Sequence, residues 1–87
     1  MAGNAIYWQN KALRQLRKIP PEDAQRIRSA VGTELTDLSK ARNVRALTGH
    51  DCGYRLRVGQ WRILFDFDGQ IRVISIEEVV KRDERTY

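Results

Sequence analysis

The sequence predicts an α+β domain: an N-terminal strand, an antiparallel helical hairpin, then a mainly antiparallel sheet of about four strands. Two patterns carry this expectation. Between residues 10 and 38, apolar side chains recur at helical steps and are interrupted by Pro20-Pro21. Between residues 54 and 80 they alternate with polar and charged ones, punctuated by Gly59-Gln60 and Asp68-Gly69. A chain of 87 residues holds one modest core, and no stretch reads as a linker, so residues 1–87 are expected to form a single domain.

Ala5-Ile6-Tyr7-Trp8 is short, apolar and aromatic, the mark of a first strand. Asn10 follows as a candidate N-cap for a helix whose Leu13, Leu16 and Ile19 share one side. Lys11, Arg14, Arg17 and Lys18 make its outer side cationic. Pro20 stops this helix and Pro21 suits the first position of the next, with Glu22 and Asp23 at its positive dipole end. Ala24, Ile27, Val31, Leu35 and Leu38 form the apolar face of the second helix. Gly32 weakens that helix by about 1 kcal/mol relative to alanine without having to break it. Residues 39–53 read as a loop with a short strand around 44–47.

The strands that follow are better defined. Gly59-Gln60, with glycine first, suits a type II′ hairpin turn, and Asp68-Gly69 a type I′ turn. Counting outward from the first turn sets Val58 opposite Trp61 and Arg57 opposite Arg62. Tyr54, Leu56, Val58, Trp61, Ile63 and Phe65 then share the core face. Counting from the second turn sets Arg62 opposite Ser75 and Trp61 opposite Ile76. A long last strand, 71–80, closes the sheet and bends before its end.

The other face of this sheet carries Arg55, Arg57, Arg62 and Ser75. Sixteen Lys+Arg against eleven Asp+Glu give a formal charge of +5, an excess that favours a polyanionic or acidic partner. Like charges directly opposite each other destabilise a sheet, and an anion recovers that cost. Phosphates with bases nearby, and so RNA, are the first candidate ligand. The alternative is a solvated face whose arginines pair with Asp51, Asp66 or Glu77. His50 and Cys52, the single residues of their kinds, cannot build a conventional zinc site, and no metal or cofactor is expected. There is no phosphate-binding glycine loop. Glu77-Glu78, adjacent on a strand, should point to opposite faces. One cysteine excludes an internal disulfide and fits a reducing cytoplasm. No apolar run approaches the roughly 18 residues of a membrane span, and 1–8 lack the layout of a secretion signal. A cytoplasmic protein without a membrane partner is expected.

Three stretches resemble the RelE/ParE superfamily of bacterial type II toxins. They are Leu47-Thr48-Gly49, then Gly53-Tyr54-Arg55-Leu56-Arg57-Val58-Gly59-Gln60-Trp61-Arg62-Ile63-Leu64-Phe65, and Lys81-Arg82-Asp83-Glu84-Arg85-Thr86-Tyr87. The resemblance covers nearly the whole chain and implies a RelE-like fold. It also implies a choice of activities: ribosome-dependent cleavage of mRNA in the A site, favoured here, or inhibition of DNA gyrase. A catalytically silent antitoxin-binding domain is the remaining alternative.

Carried over residue by residue, the nuclease pattern implies catalytic roles for Arg57, Arg62, Arg82 and Tyr87, and RNA-binding roles for Arg55 and Arg85. The implied reaction is metal-independent attack of a ribose 2′-OH on the adjacent phosphate. The implied partners are a cognate antitoxin protein, the ribosome and mRNA, with operator DNA reached only through the antitoxin complex. The best-known RelE pattern has lysines where this chain has Arg55 and Arg57. An arginine keeps its proton to above pH 12 and is no general base. Either electrostatics and alignment suffice, or a carboxylate such as Glu77 or Glu78 takes the proton.

Overall fold

The computed structural model describes residues 3–47 and 53–81. Its elements are strand β1 (Ala5–Trp8), helices α1 (Asn10–Lys18) and α2 (Pro21–Ala30), then strands β2 (Val44–Ala46), β3 (Tyr54–Val58), β4 (Trp61–Asp68) and β5 (Val73–Lys81). They form one sheet in the order β1-β5-β4-β3-β2. Only β1, which runs parallel to β5, departs from antiparallel pairing. The α+β class is as expected. The sheet has five strands rather than about four, because the three-residue β2 joins its edge.

The helical hairpin covers one face. Ala12 and Leu16 from α1 and Ala24 and Ile27 from α2 bury against Leu56, Ile63, Phe65, Ile74, Ile76 and Val79 of the sheet. Tyr54 stacks on its cross-strand partner Phe65, with ring centroids 5.6 Å apart. Pro21 opens α2 as anticipated. Asn10 is the first residue of α1 rather than its cap, and no side chain caps that end. Gln9 instead turns its amide to Ser75 Oγ at 2.9 Å.

Beyond Ala30 the second helix widens into a π-helical turn, Val31–Leu35. Val31 and Leu35 stay buried with Ile27 through the wider turn, while the Thr36 hydroxyl donates to Gly32 O at 2.8 Å. Leu38, expected on the same helical face, lies in the short 3₁₀ turn Leu38–Lys40.

The β3–β4 hairpin has the anticipated register, Val58 opposite Trp61 and Arg57 opposite Arg62. Gly59 has a positive φ of 58° while Gln60 does not, the signature of a type II′ turn. The β4–β5 connection differs. Neither Asp68 nor Gly69 has the positive φ of a type I′ turn, and Asp68 pairs with Val73 across a longer loop. The Asp68 carboxylate accepts from the Gln70 and Ile71 amides at 2.9 and 3.3 Å and folds the loop around itself. Arg72 takes the left-handed conformation at its end, φ 56°. Ile71, expected in the strand, stands exposed in the loop.

A bulge then shifts the register again. Leu64 lies opposite Glu78 and Phe65 opposite Ile76, so Glu77 is the extra residue. Ile76 and Val79 are both buried, and the simple alternation that would send Glu77 and Glu78 to opposite faces fails across this pair. Arg62 consequently lies opposite Val80, not Ser75, and Trp61 opposite Lys81, not Ile76.

Candidate nucleic-acid interface

The end of the sheet built from β2, β3 and the start of β4 collects the arginines. The segment entering β2 is held by Glu34, which receives the Arg42 and Asn43 backbone amides, each at 3.1 Å, and the Asn43 side chain at 3.2 Å. Asn43 O in turn accepts the Arg57 amide at 3.0 Å. This clamp lays β2 on β3 with Arg45 opposite Arg55, next to the pair Arg57 and Arg62 on β3 and β4. Two like-charged cross-strand pairs thus sit side by side.

A concavity of about 310 Å³ opens among Arg42, Arg45, Arg55 and Arg57, with Asn43 at its edge. The guanidinium groups of Arg42, Arg45 and Arg57 make no hydrogen bond or ion pair among the described residues, whereas Arg55 and Arg62, half-buried, do have partners. Of the carboxylates considered as neutralising partners, Asp66 receives the Gly53 amide at 2.6 Å and Glu77 the Ser75 hydroxyl at 2.7 Å. Asp51 lies outside the described residues, as do His50 and Cys52. Glu78 forms an ion pair with Lys11 at 3.0 Å.

Arg55, Arg57 and Arg62 are therefore brought together as the sequence suggested. Ser75, expected on the same face opposite Arg62, is not with them: it lies opposite Asp66 and joins Gln9 to Glu77. Arg82, Arg85 and Tyr87 fall outside the described residues. Arg42 and Arg45 were missed. The signal was the alternation Val44-Arg45-Ala46, which needed only the Leu47 and Gly53 backbone contact, 2.8 Å, to fix its count against β3. Asp23, read as a helix-dipole residue, also receives Trp61 Nε1–H at 3.1 Å and pins the indole at the start of β4. No group of acidic, histidine and cysteine side chains able to hold a metal ion occurs among the described residues. No helix among them is long and apolar enough to cross a membrane.

A two-helix layer on a five-stranded mixed sheet is the fold shared with solved RelE structures. The chain superposes on the RelBE2 toxin–antitoxin complex of Mycobacterium tuberculosis with a TM-score of 0.78 at 21% identity, covering 92% of this chain and 99% of that one. The archaeal RelE–RelB complex of Pyrococcus horikoshii OT3 gives 0.79 at 18% identity, with 97% and 99% covered. A double arginine-to-alanine mutant of E. coli RelE in the free state gives 0.73 at 16%, with 91% and 83% covered. At such identities the likeness establishes the fold. No curated protein sequence matches the chain. The family model for the ParE toxin of type II toxin–antitoxin systems, parDE, matches residues 6–86, and the chain belongs to that toxin family within the RelE/ParE superfamily.

Proposed function

We propose that this toxin is a ribosome-dependent endoribonuclease that cuts mRNA in the A site without a metal. The observation that carries the reading is the register that sets Arg57 against Arg62 beside Arg45 against Arg55. That much positive charge on one sheet end suits a chain of phosphates.

In the proposed reaction the ribose 2′-oxygen attacks the adjacent phosphorus and the P–O5′ bond breaks. The 2′-OH loses its proton and the departing 5′-oxygen gains one, leaving a cyclic phosphate and a 5′-OH. Arg57 and Arg62 hold the non-bridging oxygens, where negative charge grows, and bind the transition state more tightly than the ground state. Arg55 holds a neighbouring phosphate. β5 ends at Lys81, opposite Trp61 and next to Arg62's partner Val80, so the chain continues from there into the segment proposed to supply Arg82 and Tyr87 to the site and Arg85 to RNA.

No arginine takes the 2′-OH proton. The carboxylates first considered for this are otherwise engaged, Glu78 with Lys11 and Glu77 with Ser75. Catalysis is therefore assigned to electrostatics and alignment, with the proton passing to solvent.

A cognate antitoxin is the proposed protein partner, its acidic segments covering the same basic end in a cytoplasmic complex. The complexes among the similar structures support this. Operator DNA would be reached only through that complex. The second reading, gyrase inhibition, is favoured by the ParE name of the matching family.

Primer extension on mRNA in a reconstituted translation system tests the choice. Cuts in the A-site codon that require ribosomes, reduced about 10²- to 10³-fold by Arg62→Ala in a folded protein, are expected. Intact mRNA from a preparation that still arrests cells would move the assignment to gyrase.

A further inference from the structure

The arginine concavity does not end at the sheet. Arg57 and Asn43 also line a second hollow of about 430 Å³, on the side of the β3–β4 turn that faces α2, where Arg26 and Glu34 form the opposite wall. Arg26, Val58 and Gly59 in turn line a third, of about 250 Å³, which ends at Trp61 and Asp23. Each hollow shares residues with the next, and together they make one path around Gly59. A Cβ built at Gly59 would meet nothing within 4 Å, so the turn leaves the path open. Arg26 is exposed and its guanidinium has no partner among the described residues.

We propose that single-stranded RNA follows this path from the arginine face to α2, with Arg26 holding a phosphate and the base next to it packing against Trp61. This deepens the nuclease reading and rests on it for the identity of the ligand as RNA. A positive groove ending on an aromatic ring is how single strands are held without sequence readout. Trp61 suits that role because its Nε1–H is already fixed on Asp23 Oδ2, so its ring is ordered before the base arrives.

Glu34 and Asp23 repel phosphates and carboxylates alike, so what separates RNA from an acidic peptide is hydrogen bonding to the base. The second oxygen of Asp23 has no partner among the described residues and can accept from the exocyclic amine of adenine, cytosine or guanine. Uracil has no such amine. The cleft therefore selects amino-bearing bases over uracil.

The test is fluorescence anisotropy with 2′-O-methylated single-stranded RNA, which cannot be cleaved, so binding is read apart from catalysis. Arg26→Ala should weaken binding about fivefold and lower the slope of log affinity against log salt by about 0.7, one phosphate contact to a single strand. Arg28→Ala removes an equal charge from the same helix at a residue lining a different, apolar hollow with Ile6 and Leu13. It should do less than half as much. Asp23→Asn keeps an acceptor for Trp61 but turns the free acceptor into a donor, so the preference for oligo-A and oligo-C over oligo-U should fall or reverse.

Equal effects of Arg26→Ala and Arg28→Ala, with base preference unmoved by Asp23→Asn, would overturn the path while leaving A-site cleavage standing. Loss of antitoxin affinity on Arg26→Ala with RNA binding unchanged would assign the cleft to the acidic peptide and likewise overturn it. Intact mRNA in the translation assay, beside the expected anisotropy result, would remove the nuclease reading and keep the RNA path.

Discussion

The two edges of the sheet handle polar groups in opposite ways. At the β1 edge they are matched to one another. Gln9 donates to Ser75, which donates to Glu77. Gln15 accepts the Val79 amide at 2.6 Å, beyond the last residue that β1 pairs, and Lys11 meets Glu78. At the β2 edge the hydrogen bonds fix the backbone, through Glu34 and Asn43, while the side chains set like charges across from each other. One edge is closed by helix α1; the other is held rigid and left cationic. The contrast marks the second edge as the one where a polyanion would relieve cross-strand repulsion.

If both edges hang on one core, damage at its centre must release them together. Phe65 is fully buried, stacks on Tyr54 and lies opposite Ile76. Phe65→Ala should cost about 3–5 kcal/mol, a large share of the stability of a domain this size. Urea unfolding followed by far-UV circular dichroism and by tryptophan fluorescence should still give coincident transitions, both moved to lower urea. Separate midpoints would show that the edges are independent units.

A smaller effect is expected at the closed edge. Gln15→Ala removes the acceptor for the amide of the buried Val79 and should cost about 1–3 kcal/mol. RNA affinity should stay as it was. An unchanged urea midpoint would mean that the β1 edge does not depend on this side chain for its closure.

The sequence made the β3–β4 pairing more legible than the β4–β5 pairing, for a physical reason. The β3–β4 register follows from one local signal, glycine at the first turn position, so Arg57 could be set against Arg62 by counting. The β4–β5 register depends on two events that counting does not see. Asp68 uses its carboxylate on the Gln70 and Ile71 amides, which lengthens the loop, and Glu77 is squeezed out as a bulge. Together they moved Arg62 from Ser75 to Val80.

The bulge does have a trace in the sequence, the three-residue step from Ile76 to Val79 among buried positions. The links that close the β1 edge have none, since Gln9 and Ser75, or Gln15 and Val79, are joined only by tertiary packing. Arg42 and Arg45 were hidden differently. A three-residue strand gives too short a pattern to count, and the clamp that orders it comes from Glu34 on the π-helical turn.

The most discriminating change is also the gentlest. Arg45→Thr keeps a residue that favours strands and removes one member of the Arg45 and Arg55 pair. If the pair is a standing cost in the free protein, the variant should be more stable than the parent, by about 0.2–1 kcal/mol at low salt. Both members are at least partly exposed, so added salt should shrink the gain as the repulsion is screened. RNA affinity should fall in the same variant, coupling a rise in stability to a loss of binding. A structural arginine would give the reverse on the first count, because its loss would lower the urea midpoint whatever the salt. Opposite signs for stability and binding at β2, against unchanged binding for Gln15→Ala at the β1 edge, would establish that the sheet carries its function at one end and its closure at the other.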